Sequence, residues 1–345
     1  MNIVVLAGGT STERDVSLVS GRDVYYALKS KGHKVVLLDV FLGIEFSDID
    51  SIFEQDKDWA ADIKAVSESN PDLSELIKSR PASKDNYFGP NVISICQKAD
   101  IVFMALHGEN GENGRVQAAF DLLGIKYTGT GYESSALAMD KIITKAIFKA
   151  REIPTPECFI LNKKDNIKYP DSYPCVVKVA CGGSSVGVFI PKDKNEYEKA
   201  LQEAYKFEEE VIVEQFIKGR EFTVGVVDGI AYPVLEIAPI NGFYDYKNKY
   251  QAGSTVETCP ADIDNEITKK MQNIAVDAYM ALGMQSYARM DFMMDAENNC
   301  YCLEANTLPG MTPTSLLPQE AAAIGEDYPT LCEKLVRVSL KKYED

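Results

Sequence analysis

Short apolar runs alternate with an amphipathic stretch over the first forty residues of the chain. Residues 3–7 are apolar and predict a strand, which Gly8 and Gly9 end. Apolar side chains then recur at helical spacing over residues 16–28, and residues 34–40 form a second β-branched, apolar run. A strand, a helix and a strand in this order predict a βαβ unit, and therefore a parallel sheet.

A third strand is predicted over residues 100–106, and it is followed by a helix over 115–123 and a short strand over 125–128. The intervening residues 43–96 are polar, acidic and irregular around a single tryptophan, Trp59. We expect these residues to form an insertion with short helices, which elaborates the surface and carries no chemistry.

The pattern changes after a helix predicted near residues 134–151, where Pro154 and Pro156 mark a boundary. Residues 173–238 have the order strand, glycine–serine loop, strand, helix and two strands. Adjacent strands joined by short turns predict an antiparallel sheet with a helix packed on it, so this α+β module differs from the α/β first part. A helix, two strands, a Pro-Gly loop and further helices are predicted over residues 263–345.

Composition limits the partners of this chain. Its 345 residues are enough for about two or three domains. The 36 lysine and arginine residues against 52 aspartate and glutamate residues give a net charge of −16. Such a charge argues against nucleic acid or an anionic membrane as a partner. Anionic small molecules remain candidates, because they need only a few basic groups focused in a cleft.

The N-terminal sequence and the pattern of cysteines both predict a cytoplasmic protein. The N-terminal stretch lacks the basic region and the small-residue cleavage site of a signal peptide. The eight cysteines are scattered without a C-x-x-C motif, and His33 and His107 are the only histidines. We therefore expect reduced thiols in a cytoplasmic protein, and no Cys/His zinc site.

Two turns rich in small residues are candidates for ligand binding. In the first, AGGTSTERDVS at residues 7–17, Glu13 near a helix start would repel a phosphate and suits an ammonium group. The alternative is an acidic helix start that complements the helix dipole. The second, GGSSVG at residues 182–187, follows Lys178 and suits a lid over a polyphosphate. An exposed lysine beside an ordinary turn is the alternative there.

Two further segments resemble parts of a nucleotide site. In VEQFIKGREF, residues 213–222, a predicted strand leads into a connector. The backbone of the connector can hydrogen-bond to the edge of adenine, and Glu214 or Glu221 can accept hydrogen bonds from the ribose hydroxyls. The alternative is a solvated hinge. In NGFYDYKNKY, residues 241–250, tyrosines beside Lys249 suit a lid that orients an anion, and the alternative is an aromatic surface loop.

The strands near the C-terminus carry the most informative cluster. Arg289 and Asp291 are two residues apart and share one face of a predicted strand. Glu304 and Asn306 lie at the end of the next strand. Carboxylate and amide oxygens at adjacent strand ends suit Mg²⁺ that bridges phosphates. The arginine can either pair with Asp291 or stabilise negative charge that develops in a reaction.

Taken together and in order, these clusters resemble the D-alanine–D-alanine ligases of the ATP-grasp superfamily. The matching segments are AGGTSTERDVS, HGENGENG, YTGTG, ALAMDK, GGSSVG, VEQFIKGREFTV, FYDYKNKY, ARMDF and LEANTLPGMTPTSLLP. They cover nearly the whole chain except the insertion. The resemblance implies a three-module ATP-grasp architecture, in which a Rossmann-like parallel sheet is followed by two antiparallel α+β modules that hold ATP between them. The implied modules are the Rossmann-like domain at residues 1–138, which contains the insertion 43–96, the central ATP-grasp module at 139–218, and the C-terminal module at 219–345, which carries the metal site.

The resemblance also implies a role for each matched residue. Catalytic roles fall to Glu13, Ser184, Arg289 and Gly310. ATP would be bound by Lys141, Lys178, Ser185, Glu214, Gln215, Phe216, Ile217, Glu221, Phe243 and Lys249. The amino acid substrates would contact Glu13, Val16, Ser17, His107, Tyr250, Arg289, Gly310, Ser315 and Leu316. Two Mg²⁺ ions, which Mn²⁺ can replace, would be bound by Asp291, Glu304 and Asn306. A monovalent cation is a further candidate cofactor.

The reaction that the resemblance implies proceeds through a D-alanyl phosphate. The carboxylate of one D-alanine attacks the γ-phosphate of ATP, and the amine of a second D-alanine then attacks the acyl phosphate. The products are D-alanyl-D-alanine for peptidoglycan precursor synthesis, ADP and phosphate. Relatives are commonly homodimers, so a homodimer is expected.

Other interpretations stay open. The nearest is an enzyme of the same superfamily that joins another carboxylate to another amine, with D-serine as the close variant. A nucleotide-binding regulator without turnover belongs to a different class and would form no acyl phosphate. One segment, KVACGG at residues 178–183, departs from the family, which usually has proline after the lysine. We expect a more pliable loop there.

Overall fold

Three parallel strands form the first sheet of the protein, for which a computed structural model describes residues 1–63, 73–80, 86–183, 186–239 and 255–344. The central strand β1 (Asn2–Ala7) lies between β2 (Lys34–Asp39) and β3 (Ile101–Met104). Helix α1 (Arg14–Ser30) connects the first two strands. The predicted βαβ unit is therefore confirmed. The short strand predicted over 125–128 is reduced to one bridge between Val102 and Tyr127.

The insertion contains a 3₁₀ turn (Ile49–Glu54) and two short helices, α2 (Leu73–Ser79) and α3 (Val92–Cys96). Ile52 and Ile95 are fully buried and pack into the core under the first sheet. The expectation of a surface elaboration is wrong for these residues, because isolated apolar side chains in a polar stretch still cover one face of the sheet.

The helix predicted near residues 134–151 is two helices. These are α5 (Tyr132–Met139) and α6 (Lys141–Ala150), and helix α4 (Arg115–Leu122) precedes them. Asp140 separates them, because its backbone is extended and its side chain accepts the N–H groups of Ile142 and Ile143. This N-cap makes Lys141 the first residue of α6.

The second sheet is antiparallel and has the strand order β4-β7-β5-β6. Its strands are β4 (Cys158–Asn162), β5 (Cys175–Val179), β6 (Val188–Phe189) and β7 (Glu210–Gln215). Helix α7 (Lys194–Ala204) packs on one face and buries Tyr197 and Leu201. The pattern of the sequence did not predict β4, whose burial is mixed along its length.

The third sheet is also antiparallel and has the order β11-β10-β8-β12-β13, with β9 paired to β8. Its strands are β8 (Gly219–Val227), β9 (Ile230–Ala231), β10 (Leu235–Pro239), β11 (Thr255–Thr258), β12 (Tyr287–Asp295) and β13 (Cys300–Asn306). Helix α8 (Asn265–Ala281) covers one face. Phe148 of α6 and the following Ile153 also pack into the core of this sheet.

The last two helices return to the first sheet. Helix α9 (Leu316–Ala323) is followed by α10 (Tyr328–Leu340) and by a 3₁₀ turn (Lys341–Tyr343). Leu335 of α10 is fully buried in one core with Ile3 of β1, and this core also contains residues of α9 and β12. The first sheet and the third sheet therefore share a core. None of the described helices combines the length and apolarity needed to cross a membrane.

We expect Leu335→Ala to lower the free energy of unfolding by about 2–5 kcal/mol, because the cavity forms in the shared core. Leu122→Ala is the matched control, since Leu122 is 90% exposed. The control should change stability by less than about 0.5 kcal/mol. Urea unfolding followed by circular dichroism measures both values, and equal losses for the two variants would contradict the shared core.

Candidate active site

A cavity of about 530 Å³ lies between the second and third sheets. Lys178 and Glu214 line it from the second sheet, and Met293 and Glu304 line it from the third. The connector between the sheets closes one end, where Gln215, Phe216, Ile217 and Glu221 line the wall. The predicted nucleotide residues of this connector are therefore brought together with the predicted lysines.

Glu214 is the centre of a buried charge cluster in this cavity. Its carboxylate is 3% exposed and makes ion pairs with Lys178 Nζ at 2.9 Å and Lys145 Nζ at 2.7 Å. Burial acts to raise the pKa of Glu214, but the two lysines outweigh it, so the pKa lies below its ordinary value. Glu214 is thus an anion that holds two cations in place.

Lys145 was not predicted from the sequence. It lies one helical turn after Lys141 in α6, and its ammonium group also donates to Thr155 Oγ1 at 2.7 Å. Burial lowers the pKa of Lys145, although the nearby Glu214 opposes this shift. The spacing of four residues between two lysines at the start of one helix was the available signal, because such residues share a helix face.

Strand pairing places the predicted metal and oxyanion residues on one face of the third sheet. Arg289 in β12 lies opposite Gly225 of β8 on one side and Asn306 of β13 on the other. Two residues later, Asp291 lies opposite Thr223 and Glu304. Directly paired residues of an antiparallel sheet point to the same side, so these side chains form a compact array.

A β-bulge in β13 determines which side chains reach the cavity. Asp291 pairs with Glu304, whereas the next residue, Phe292, pairs with Cys302, so Leu303 is the extra residue. Without the bulge, Glu304 and Cys302 would share a face, since they are two residues apart. With it, Cys302 is buried in the core and Glu304 lines the cavity.

The Asp291 carboxylate receives several hydrogen bonds. Arg289 donates from Nε to Oδ1 at 2.9 Å and from Nη2 to Oδ2 at 2.8 Å. Asn306 Nδ2 donates to Oδ2 at 2.9 Å, and Thr223 Oγ1 donates to Oδ1 at 2.7 Å. Nearby, Lys141 Nζ lies 3.4 Å from Glu304 Oε2. The arginine therefore pairs with Asp291, which is one of the two alternatives that the sequence left open.

The oxygen atoms of this array suit a divalent cation that also takes phosphate oxygens. Across the described ranges, no group of three or more His, Cys, Asp and Glu side chains is arranged to hold a metal ion. Asp291 and Glu304 supply two carboxylates at paired positions, and Asn306 adds an amide oxygen. Mg²⁺ is usually held by one or two carboxylates together with substrate phosphates, so this donor set fits it.

A second cavity of about 500 Å³ adjoins the first. Residues from both ends of the chain line it, namely Glu13, Val16, His107, Arg289, Asn306, Gly310, Ser315 and Leu316. Glu304 and Gly183 line both cavities. A phosphoryl group bound at the end of the first cavity would therefore face a molecule in the second.

His107 and its neighbours form a buried polar group at the N-terminal side of this cavity. His107 Nε2 lies 3.2 Å from Ser20 Oγ, and its Nδ1 lies 4.0 Å from Glu112 Oε1. Burial raises the pKa of Glu112, and the negative charge of Glu13 raises it further. Glu112 also lines the cavity and was not predicted, although it lies within the motif HGENGENG.

Ser17 and Lys141 make contacts within the protein that the sequence did not predict. Ser17 is fully buried, and its hydroxyl accepts the N–H of Gly8 and donates to the carbonyl of Ala105, so it joins two strand ends. Lys141 Nζ donates to the carbonyl of Gly182 at 2.7 Å, which links α6 to the glycine loop. Five predicted residues lie outside the described residues: Ser184, Ser185, Phe243, Lys249 and Tyr250.

Comparisons with known proteins agree with this geometry. Profiles described as the D-ala D-ala ligase N-terminus and C-terminus match residues 2–130 and 147–337. The D-alanine–D-alanine ligase of Pediococcus pentosaceus is 45% identical over 355 residues, with 100% of this chain and 99% of that protein covered. The enzyme of Lacticaseibacillus casei is 43% identical, with coverage of 100% and 97%.

Solved structures give the same result. The crystal structure of D-alanine–D-alanine ligase from Bacillus anthracis complexed with ATP has a TM-score of 0.74 and 29% identity, with 99% of this chain and 98% of that chain covered. The ligase from Coxiella burnetii has a TM-score of 0.76 and 26% identity, with coverage of 99% and 94%. The predicted ATP-grasp fold is confirmed. This chain belongs to the D-alanine–D-alanine ligase family.

Proposed function

We propose that this protein joins two D-alanine molecules into D-alanyl-D-alanine, converts ATP to ADP and phosphate, and thereby supplies peptidoglycan precursor synthesis. One observation carries the proposal in a chain of this family. The nucleotide-sized cavity and the cavity lined by Glu13 and Ser315 meet at Glu304, beside Arg289 and Asp291. Such an arrangement brings a terminal phosphoryl group to a bound amino acid.

ATP occupies the cavity between the second and third sheets in this proposal. The connector residues Gln215, Phe216 and Ile217 and the carboxylates of Glu214 and Glu221 contact adenine and ribose. Lys141 and Lys178 bind phosphates, and Ser185, Phe243 and Lys249, which lie outside the described residues, complete the site. Phe216 and Ile217 give the connector an apolar surface for the base, and Lys141 and Lys178 line the same cavity for the phosphates.

Lys145 sets the net charge of the buried cluster around Glu214, from which Lys178 reaches the cavity. Glu214 neutralises one cation, and Lys145 and Lys178 both contact it, so one positive charge remains for the phosphates. Helix α6, which carries Lys145, packs into the core of the third sheet, whereas Glu214 belongs to the second. The Lys145–Glu214 ion pair therefore also joins the two sides of the cavity at its base.

The amino acids occupy the second cavity. Glu13 accepts the ammonium group of the first D-alanine, with Val16 and His107 beside it, and Ser17 supports the strand ends beneath them. Ser315 and Leu316 at the start of α9 bind the second D-alanine. Ser184 and Tyr250 are assigned to the same site on the family resemblance alone.

Asp291, Glu304 and Asn306 hold two Mg²⁺ ions, or Mn²⁺ in their place. When bound, the metal offsets negative charge on the phosphates during transfer. Arg289, Thr223 and Asn306 keep the Asp291 carboxylate in a fixed orientation for this purpose. A monovalent cation is a further candidate cofactor on the resemblance.

The reaction follows from these positions. The carboxylate of the first D-alanine attacks the γ-phosphorus, the bond to the β-phosphate oxygen breaks, and Lys141 and Lys178 offset the charge that moves to ADP. The amine of the second D-alanine attacks the acyl carbon and loses a proton, and phosphate leaves. Arg289 and the N–H of Gly310 stabilise the tetrahedral oxyanion. The glycine loop at 182–187 limits water, which would hydrolyse the acyl phosphate.

The remaining assignments belong to the same proposal. The division at residues 138 and 218 is supported by the sheets, since each of the three lies within one range. All eight cysteines are free, which suits a cytoplasmic protein. A homodimer is proposed on the resemblance.

A ligase that uses D-serine as the second substrate is the alternative, because the second cavity is large enough for the added hydroxyl.

The purified protein should release ADP only when D-alanine is present, because the acceptor carboxylate completes the site for phosphoryl transfer. ADP release is measured with D-alanine, L-alanine, D-serine or D-lactate, and the product mass is determined. A mass equal to two D-alanines less one water supports the proposal. ADP release without any amino acid would reject the proposal. A main product that joins D-alanine to one of the other tested compounds would also reject it.

Arg289→Ala should lower kcat by about 10²–10³-fold while the Kd for ATP changes little, because oxyanion stabilisation is lost and the connector contacts remain. Arg289→Lys should also be impaired, since lysine cannot make the bidentate contact to Asp291. Arg337→Ala is the control, since this exposed arginine of α10 lines neither cavity. An equal loss of ATP binding and turnover would count against the assignment.

Lys145→Met should raise the KM for ATP by about tenfold, equivalent to roughly 1.4 kcal/mol, and leave the KM for D-alanine unchanged. The reason is that Lys178 alone then neutralises Glu214, so the charge that Lys178 offers the phosphates is offset. Lys149→Met is the matched control, because Lys149 is exposed one turn later in the same helix. Thermal melts of both variants check the fold, and an unchanged KM for ATP would exclude this role.

A further inference from the structure

Glu320 is a fully buried acid that the proposed mechanism does not use. It lies in α9, and its Oε2 accepts the backbone N–H of Gly225 at 2.8 Å. Its Oε1 is buried and has no hydrogen-bond partner among the described residues. Leaving a buried polar atom unpaired costs on the order of 1–3 kcal/mol, so its position calls for a physical reason.

Gly225 shows where the Glu320 carboxyl group lies. A Cβ atom added to Gly225 would be 2.3 Å from Glu320 Oε2 and 2.4 Å from Leu317 Cδ1, both far too close. Gly225 is paired directly with Arg289, so this Cβ would point to the same side of the sheet as the Arg289 side chain. The missing side chain at Gly225 thus leaves room for Glu320 beside Arg289.

The charge state of Glu320 suits this position. Burial raises its pKa to about 8, although the Gly225 N–H and the positive charge of Arg289 act in the opposite direction. At neutral pH the group is therefore mainly a neutral acid. It can accept the Gly225 N–H without competing with Asp291 for the full charge of the Arg289 guanidinium.

Helix α9 connects this acid to the second cavity. Its first residue is Leu316 and its N-cap is Ser315, and both line the cavity, whereas Glu320 lies one turn further on and contacts β8. An eight-residue helix held at this point has little freedom to shift along the sheet. The contact therefore fixes the distance between the start of α9 and Arg289.

We propose that Glu320 is a positioning residue, which holds the site for the carboxylate of the second amino acid at a fixed distance from Arg289. The inference rests on the proposed function, because it requires Ser315 and Leu316 to bind the second substrate. Capture of the acyl phosphate by the second amino acid then depends on Glu320. ATP binding and acyl phosphate formation do not, since Lys141, Lys178 and Glu13 belong to other elements.

The test separates the two half-reactions. Hydroxylamine traps the acyl phosphate as a hydroxamate and needs no carboxylate site, whereas dipeptide formation needs the second D-alanine in place. Glu320→Leu should lower dipeptide formation at least about tenfold and raise the KM for the second D-alanine, with hydroxamate formation and the KM for ATP within about twofold of the wild type. Glu320→Gln keeps an acceptor for the Gly225 N–H and should recover dipeptide formation to within about threefold of the wild type.

Leu335→Ala is the control for stability, because it removes a side chain from the core into which α9 packs and Leu335 lines neither cavity. Equal losses of hydroxamate and dipeptide in Glu320→Leu, the same pattern in Leu335→Ala, or no loss at all would overturn the inference. So would a Glu320→Gln variant as impaired as Glu320→Leu. Dipeptide formation by the wild-type protein is measured in the same series, so a failure of the proposed function is seen separately.

Discussion

The alignment of β12 between β8 and β13 is the constraint on which the site depends. It places Arg289 opposite Asn306 and Asp291 opposite Glu304, so cation, carboxylates and amide occupy neighbouring positions on one face. The bulge at Leu303 is part of this constraint, because it turns Glu304 toward the cavity while Cys302 stays in the core. Hydrogen bonds of rigid strands, rather than flexible loops, thus set the spacing of the reactive groups.

Charge balance explains how these groups are held in place. In a chain of net charge −16, four buried or nearly buried cations of the site are each held by a carboxylate: Lys145 and Lys178 by Glu214, Lys141 by Glu304, and Arg289 by Asp291. Buried charges are tolerated only when they are paired, so these contacts offset the cost of desolvation. Glu214 alone pairs with two of these cations, so its cluster keeps one positive charge, which a polyphosphate can meet.

Sequence patterns predicted the parts of this site that follow local periodicity. The two-residue spacing of Arg289 and Asp291 places them on one face of any strand, and the βαβ unit follows from residues 3–40. Glu304 was predicted from its place at a strand end, but the bulge that turns it toward the cavity was not. Lys145 and Glu320 were missed, since a charge in an apolar segment shows its partner only after distant elements pack. The buried part of the insertion depends on tertiary packing in the same way.

The distribution of cores determines which parts of the site are rigid. One core combines β1, α1, α9, α10 and part of β12, so Glu13 after β1 and Ser315 before α9 are held in the same rigid unit as Arg289. The second sheet has a core of its own, built around Tyr197 and Val213. It contacts the rest across the nucleotide cavity, where buried charges such as Lys145 and Glu214 replace apolar packing. Separating elements that share few apolar contacts costs less free energy than separating elements packed in one core. The amino acid cavity is therefore built on the shared core of the first and third sheets, whereas the wall that carries Lys178 belongs to a sheet with a core of its own.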